Sequence, residues 1–285
     1  MEDLGPFTLP NSHTHDFIAK SNSRRYRAWV ATPAKRVPGQ LRPVLYVTDG
    51  NMSFGQVVEC TRMLAFSGEI PPVIVVGIGY PDITAAEGMV LRNYELTPSV
   101  DHEYIDRTVA QGAPVGPEGL AGAPGFHAFL RDELAPAVEE FYGGDPADRA
   151  LFGFSLGGLF TLFALLQEPP AFRRFIAGSP SLWWDRRMLF EAEKGRAEGP
   201  KDLPARVFIS AGEGEQLPGG PLPHWAGMVS NAVEFAGTLA SRGYEGLEVD
   251  LQVIPRVGHQ APPMLVQGLT SVYRGHPGIV RPSAH

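Results

Sequence analysis

The sequence predicts an α/β protein: a mostly parallel sheet with helices on both faces and an antiparallel edge at its N-terminal end. Three observations carry that expectation. Strand-length apolar runs alternate with helix-length stretches over most of the 285 residues. Several runs, such as Pro43-Val44-Leu45-Tyr46-Val47-Thr48, are apolar throughout, as strands covered on both faces are. One run, Ala150 to Phe154, breaks at Gly153-Phe154-Ser155-Leu156-Gly157 and resumes as a helical pattern, Leu159 to Leu166.

In chain order, His13 to Ser21 reads as an edge strand. Arg25 to Ala31 alternates polar and apolar residues, as a half-buried strand does, and ends at Thr32-Pro33. A turn-rich linker, Lys35 to Arg42, leads to the strand Pro43 to Thr48, which stops at Asp49-Gly50-Asn51. Phe54 to Phe66 is read as a helix and Pro72 to Gly79 as a second buried strand. From Tyr80 to Pro124 no period is visible, so a long loop insertion of about 80–124 is expected within a single domain spanning 1–285. A helix from Phe126 to Tyr142 precedes the strand that carries Ser155. Then come a short strand (Phe175 to Gly178), a helix (Arg187 to Lys194), a strand (Ala205 to Ala211), a helix (Trp225 to Arg242), a strand (Leu247 to Ile254) and a helix (Pro262 to Tyr273).

Composition narrows the classes. Apolar content is 44%, enough for a sizeable core. The formal net charge of −7 and the lack of a basic run argue against nucleic acid as a partner. No apolar run is long enough to span a membrane. The start, Met1-Glu2-Asp3-Leu4-Gly5, is acidic with no apolar core, so a cytoplasmic location is expected. The single cysteine, Cys60, rules out an internal disulfide and is expected to be a buried small hydrophobe.

The chemistry gathers at three strand ends, where open α/β sheets place their sites. Gly153-x-Ser155-x-Gly157, between a buried strand and a helix, has the context of a nucleophile elbow. Glu213 and Glu215 follow the next long strand, and His259 follows the last one. The order Ser, acid, His is that of an α/β-hydrolase. A serine hydroxyl is a weak nucleophile until a base takes its proton. Histidine titrates near neutrality and can return that proton to the leaving group. A carboxylate behind it fixes the tautomer. Glu215, three residues after Gly212, is the preferred acid and Glu213 the alternative. The oxyanion donors are expected at the Leu156 and Asn51 amides, after the nucleophile and after an early central strand. Trp183 and Trp184 are candidates for an apolar pocket wall, and His224 lies in a Pro-rich loop that could reach the substrate. His102 and His127 are expected to face solvent, His276 and His285 to lie near a frayed end, and His13 and His15 to lack a third metal ligand.

Six segments also occur together in order: Tyr46-Val47-Thr48-Asp49-Gly50-Asn51, Arg92 through Thr97-Pro98, Phe129 to Leu134, Gly153 to Gly158, Ser179-Pro180-Ser181-Leu182-Trp183-Trp184 and Gly212 to Gln216. Together they resemble the putative-esterase family of α/β-hydrolases, which includes esterase D-like and feruloyl-type enzymes. The branch that looks most similar holds the siderophore trilactone esterases. The resemblance implies Ser155 as nucleophile, His259 as base, oxyanion amides at Leu156 and Asn51, and a role for Arg92 near the substrate. The reading is therefore a monomeric or homodimeric serine carboxylesterase acting on a small-molecule ester through an acyl-enzyme on Ser155, with no cofactor or metal. An acyltransferase using the same residues, a siderophore trilactone esterase and a catalytically silent binding protein of the same fold are the alternatives.

Overall fold

A computed structural model describes residues 5, 7–34, 39–112, 119–220 and 222–279. Eight strands form one sheet: β1 (Ser12–Ile18), β2 (Arg25–Ala31), β3 (Arg42–Val47), β4 (Ile74–Gly79), β5 (Gly144–Phe154), β6 (Arg174–Gly178), β7 (Asp202–Gly212) and β8 (Glu245–Ile254). Their spatial order is β1-β2-β4-β3-β5-β6-β7-β8. The pairs β1/β2 and β2/β4 are antiparallel and the remaining pairs are parallel. All the parallel strands therefore end on one rim.

Nine α-helices are described: α1 (Gly50–Phe66), α2 (Ala85–Glu95), α3 (His102–Ala110), α4 (Ala123–Phe129), α5 (Ala135–Tyr142), α6 (Leu156–Leu165), α7 (Trp184–Ala197), α8 (Met228–Ser241) and α9 (Ala261–Val272). Strand pleating sorts the core into two layers. Val44 and Tyr46 of β3, Leu151 of β5 and Phe175 of β6 face the layer that contains α4 to α6 and α8. Leu45, Val47, Phe152 and Ile176 face α1 and α9. This two-sided burial is why these strands are apolar at every position.

Three expectations are corrected here. The stretch 80–124, expected as loop, carries α2 and α3, and residues 113–118 within it lie outside the described residues. Neither helix buries an apolar residue fully: the buried residues of α2 are Arg92 and Glu95, and α3 has none, its Tyr104 and Ile105 packing only partly against the core. The start of α2 was nonetheless written in the chain, because Thr84 and Glu87 form a reciprocal capping box. His127, expected at the surface, is 4% exposed and stands edge-on to Phe163 and Phe172. His276, expected near a frayed end, is anchored by its Nε2 at 2.7 Å from Asp148 Oδ2.

The Phe126 to Tyr142 helix is three pieces: α4, a π-helical turn at Leu130–Leu134, and α5. Pro136 lacks an N–H and crowds the preceding turn, and the wider π turn absorbs the misfit. Cys60 is half-buried against the α1/α9 layer. Lys35 to Pro38 of the linker and His285 lie outside the described residues.

Candidate active site

Ser155 sits at the tip of β5, immediately before α6, with φ 61° and ψ −117°. This is a sparsely populated conformation for a residue with a Cβ, and such strain is held only where the surroundings fix it. Here Ser155 N–H donates to Gly178 O (2.9 Å), and Ser155 O accepts from Leu159 N–H (3.0 Å) and Ser181 N–H (3.1 Å). Glycine is required on both sides of the turn. A Cβ at Gly153 would lie 2.0 Å from Gly157 O, and one at Gly157 would lie 2.4 Å from Thr48 Oγ1. The elbow can therefore close only without side chains at these two positions, and it closes onto Thr48 in the loop after β3.

Two strands away, β7 ends in a 3-10 turn, Glu213–Glu215. Glu215 is 1% exposed and its carboxylate is fully engaged. Oε1 accepts from Ser179 Oγ (2.7 Å) and lies 2.6 Å from His259 Nδ1, while Oε2 accepts from Gly212 N–H (3.1 Å). Glu213 points elsewhere and accepts from Arg256 N–H at 2.9 Å. Residues two apart in a 3-10 turn project about 120° from each other, so only one of these acids can face the imidazole. The loop after β8 delivers His259, pinned by Gly214 N–H donating to Val257 O (2.9 Å). Its ring packs 4.5 Å from that of Phe154, the residue before the serine.

Ser155 and His259 line one cleft, together with Thr48, Asp49 and Met52. Ser155 Oγ lies 3.5 Å from Ser181 Oγ. Hydrogen bonds between nucleophile and base are often long in unliganded sites and tighten with substrate. Leu156, 6% exposed, has its N–H in the first turn of α6, where backbone donors lack helical partners. Asn51 occupies the corresponding first turn of α1. Its side chain donates to Tyr80 O (2.9 Å) and accepts from Tyr80 N–H (2.8 Å), tying the loop to the end of β4.

Arg92 makes a two-pronged ion pair with Asp49: Nε to Oδ1 at 2.7 Å and Nη2 to Oδ2 at 3.0 Å. The Asp49 carboxylate holds the guanidinium pKa above its ordinary value despite burial, which opposes the shift. Arg92 thus fastens α2 to the loop after β3 and also borders the cleft. Trp183 lines the adjoining space beside Ser155, Leu156 and Ser181. Trp184 does not. It is 0% exposed, and its Nε1–H donates to Ser99 O (3.1 Å), so its expected place in the pocket wall is corrected to the core. His224 lies beyond Trp183, next to Trp225, and not beside Ser155. Sequence reasoning missed Ser179 and Asp49. Ser179 lies in the Ser-Pro-Ser run and Asp49 opens the Asp-Gly turn, but only the fold brings the first to Glu215 and the second to Arg92.

Residues 19–246 match the family model described as "Putative esterase". The chain is 30% identical over 259 residues to the ferri-bacillibactin esterase BesA of Bacillus subtilis, covering 89% of this chain and 86% of that protein. It is 31% identical over 230 residues to the siderophore triacetylfusarinine C esterase of Aspergillus fumigatus, covering 78% and 73%. The solved structure of the BES protein from Bacillus cereus superimposes with a TM-score of 0.79 at 26% identity, covering 95% of this chain and 98% of that one. The matched family and the shared architecture together make this chain a member of the esterase family of α/β-hydrolases, a serine carboxylic-ester hydrolase.

Proposed function

We propose that the chain cleaves ester bonds of siderophore-type substrates through an acyl-enzyme on Ser155. The observation that carries the reading is the 2.6 Å contact between Glu215 and His259 Nδ1, with His259 sharing a cleft with Ser155. Glu215 accepts a hydrogen bond from His259 Nδ1–H and so leaves Nε2 free to act as base. Ser155 Oγ attacks the ester carbonyl as its proton passes to His259 Nε2. The Leu156 and Asn51 amides receive the developing oxyanion at two helix N-termini. His259 then protonates the departing alcohol, and water repeats the sequence to release the acid. Arg92 serves by holding Asp49 and the oxyanion loop in place.

The substrate class is supported by relatives named as siderophore esterases. It is also supported by the wide, two-part cleft around Ser155, bordered by Met89, Arg92 and Trp183. A cytoplasmic location belongs to the same reading, since the unpaired Cys60 suits a reducing compartment. Incubation with bacillibactin and triacetylfusarinine C, each with and without iron, tests the proposal by mass spectrometry of products. Linearised or monomeric hydroxy-acid products are expected, and none from Ser155→Ala. Rapid turnover of short p-nitrophenyl esters with both siderophores left intact would overturn the substrate class.

A further inference from the structure

β6 ends at Gly178, and the chain then runs between the nucleophile and the acid. Gly178 O accepts from Ser155 N–H (2.9 Å), and Ser181 N–H donates to Ser155 O (3.1 Å). Between these two anchors stands Ser179. Its own N–H donates to Ser210 O on β7 (2.7 Å), and its Oγ lies 2.7 Å from Glu215 Oε1. The tip of β6 thus grips the elbow by its backbone and the acid by one hydroxyl.

Two observations single out that hydroxyl. Ser179 has φ 40°, in the left-handed region that favours glycine, yet a serine stands there, fully buried. Strain held at a site directs attention to what the strained residue's side chain does. The second observation is the bonding of the carboxylate. The Glu215 side chain is 0% exposed, so its donors come from the protein. They are Gly212 N–H on Oε2, and Ser179 Oγ–H and His259 Nδ1–H on Oε1. Ser179 Oγ also lies 3.1 Å from Met264 Sδ, but a thioether is a weak acceptor, so the single hydroxyl proton goes to the carboxylate. Oε1 then presents its other lone pair to the imidazole, and the carboxylate is fixed at both oxygens.

We propose that Ser179 is a positioning residue for ester cleavage: its hydroxyl locks the Glu215 carboxylate in the orientation that aims Oε1 at His259 Nδ1. The inference rests on the esterase reading above and adds the group that holds the acid. Gly212 N–H by itself fixes Oε2 and leaves the carboxylate free to turn about that bond. The Ser179 bond, on the other oxygen, removes that freedom before substrate binds. The task of the acid is to hold one imidazole orientation, so slack in the carboxylate passes directly to His259 Nε2.

The test compares Ser179→Gly, Ser179→Ala and Ser179→Cys with wild type on p-nitrophenyl butyrate. Glycine removes the hydroxyl and relieves the backbone, alanine removes the hydroxyl alone, and cysteine keeps a weak donor. The glycine and alanine variants are both expected to lower kcat about tenfold and to leave KM within about twofold, because the Glu215–His259 pair acts in the transition state and not in binding. Ser179→Cys is expected to fall between them and wild type. Proton NMR supplies a readout that does not depend on turnover. In Ser155→Ala protein the downfield resonance of the His259 Nδ1 proton is expected to be sharp, and to broaden when Ser179→Gly is added. A wild-type protein that leaves the ester intact would strike the esterase reading, whereas the NMR comparison still judges Ser179. A Ser179→Gly kcat within about twofold of wild type, a loss carried by KM, or a resonance that Ser179→Gly leaves unchanged would overturn the proposal.

Discussion

Replacing Glu215 by glutamine changes one atom and ought to disable the site. In the native arrangement the carboxylate only accepts, from Ser179 Oγ, Gly212 N–H and His259 Nδ1. Glutamine offers one oxygen and one NH2 group. Gly212 N–H can only donate, so the oxygen must face it. The NH2 group then occupies the position of Oε1, toward Ser179 and His259. A serine hydroxyl can rotate to accept. His259 can accept at Nδ1 only by carrying its proton on Nε2, and that tautomer has no lone pair for the Ser155 proton. The same amide-for-carboxylate change in a serine protease triad costs about 10⁴-fold in kcat. At about 1.36 kcal/mol per decade this is roughly 5 kcal/mol of lost transition-state stabilisation. Side-chain volume is unchanged, so the fold should persist by circular dichroism. Glu213→Gln is the control: its oxygen can still accept from Arg256 N–H, and activity should stay within about twofold. The assay is p-nitrophenyl butyrate hydrolysis by both variants. Glu215→Gln retaining a tenth or more of wild-type kcat, or Glu213→Gln being the variant that collapses, would refute the reasoning.

Two further outcomes follow from the fold. Gly153→Ala drives a Cβ to 2.0 Å from Gly157 O, a backbone atom that cannot rotate away. Overpacking of this kind costs about 1–3 kcal/mol or more, a melting point lower by several degrees, so a melting curve superimposable on wild type would contradict it. Burial, the main cause, pulls the His127 pKa down to about 4. Its unfolded value is about 6.5, so between those values only the unfolded chain takes up the proton. Stability is then fully present above about pH 6.5 and falls as pH drops toward 4, by about 3 kcal/mol in all. Urea unfolding at pH 7 and pH 4.5 should show His127→Leu losing about 2–3 kcal/mol less than wild type over that interval. Equal losses would dismiss His127 as the sensitive group.

The layout of the sheet was legible because double-sided burial leaves an unmistakable mark. Tyr46 and Val47 face opposite layers, and both must be apolar. The elbow was legible because glycine is forced at 153 and 157 by contacts under 3 Å. Other features had no local mark. The choice between Glu213 and Glu215 depends on the projection of one 3-10 turn, which the two residue types do not encode. The helices α2 and α3 border the cleft with a mixed set that includes Met89, Arg92, Tyr104 and Thr108, and neither buries an apolar residue fully, so periodicity did not find them. Trp184 and Trp183 are neighbours of the same type, yet one donates to Ser99 O in the core and the other borders two cavities. The partner of Asp49 lies 43 residues away on α2, beyond reach of any sequence pattern.

The central claim is that Ser155 is the nucleophile, activated by His259. Treatment with a fluorophosphonate followed by peptide mapping measures it directly. The account predicts one adduct, on Ser155 within the tryptic peptide 150–173, absent from Ser155→Ala and strongly slowed in His259→Ala. An adduct on Ser179 or Ser181 instead, or full esterase activity in Ser155→Ala, would contradict it.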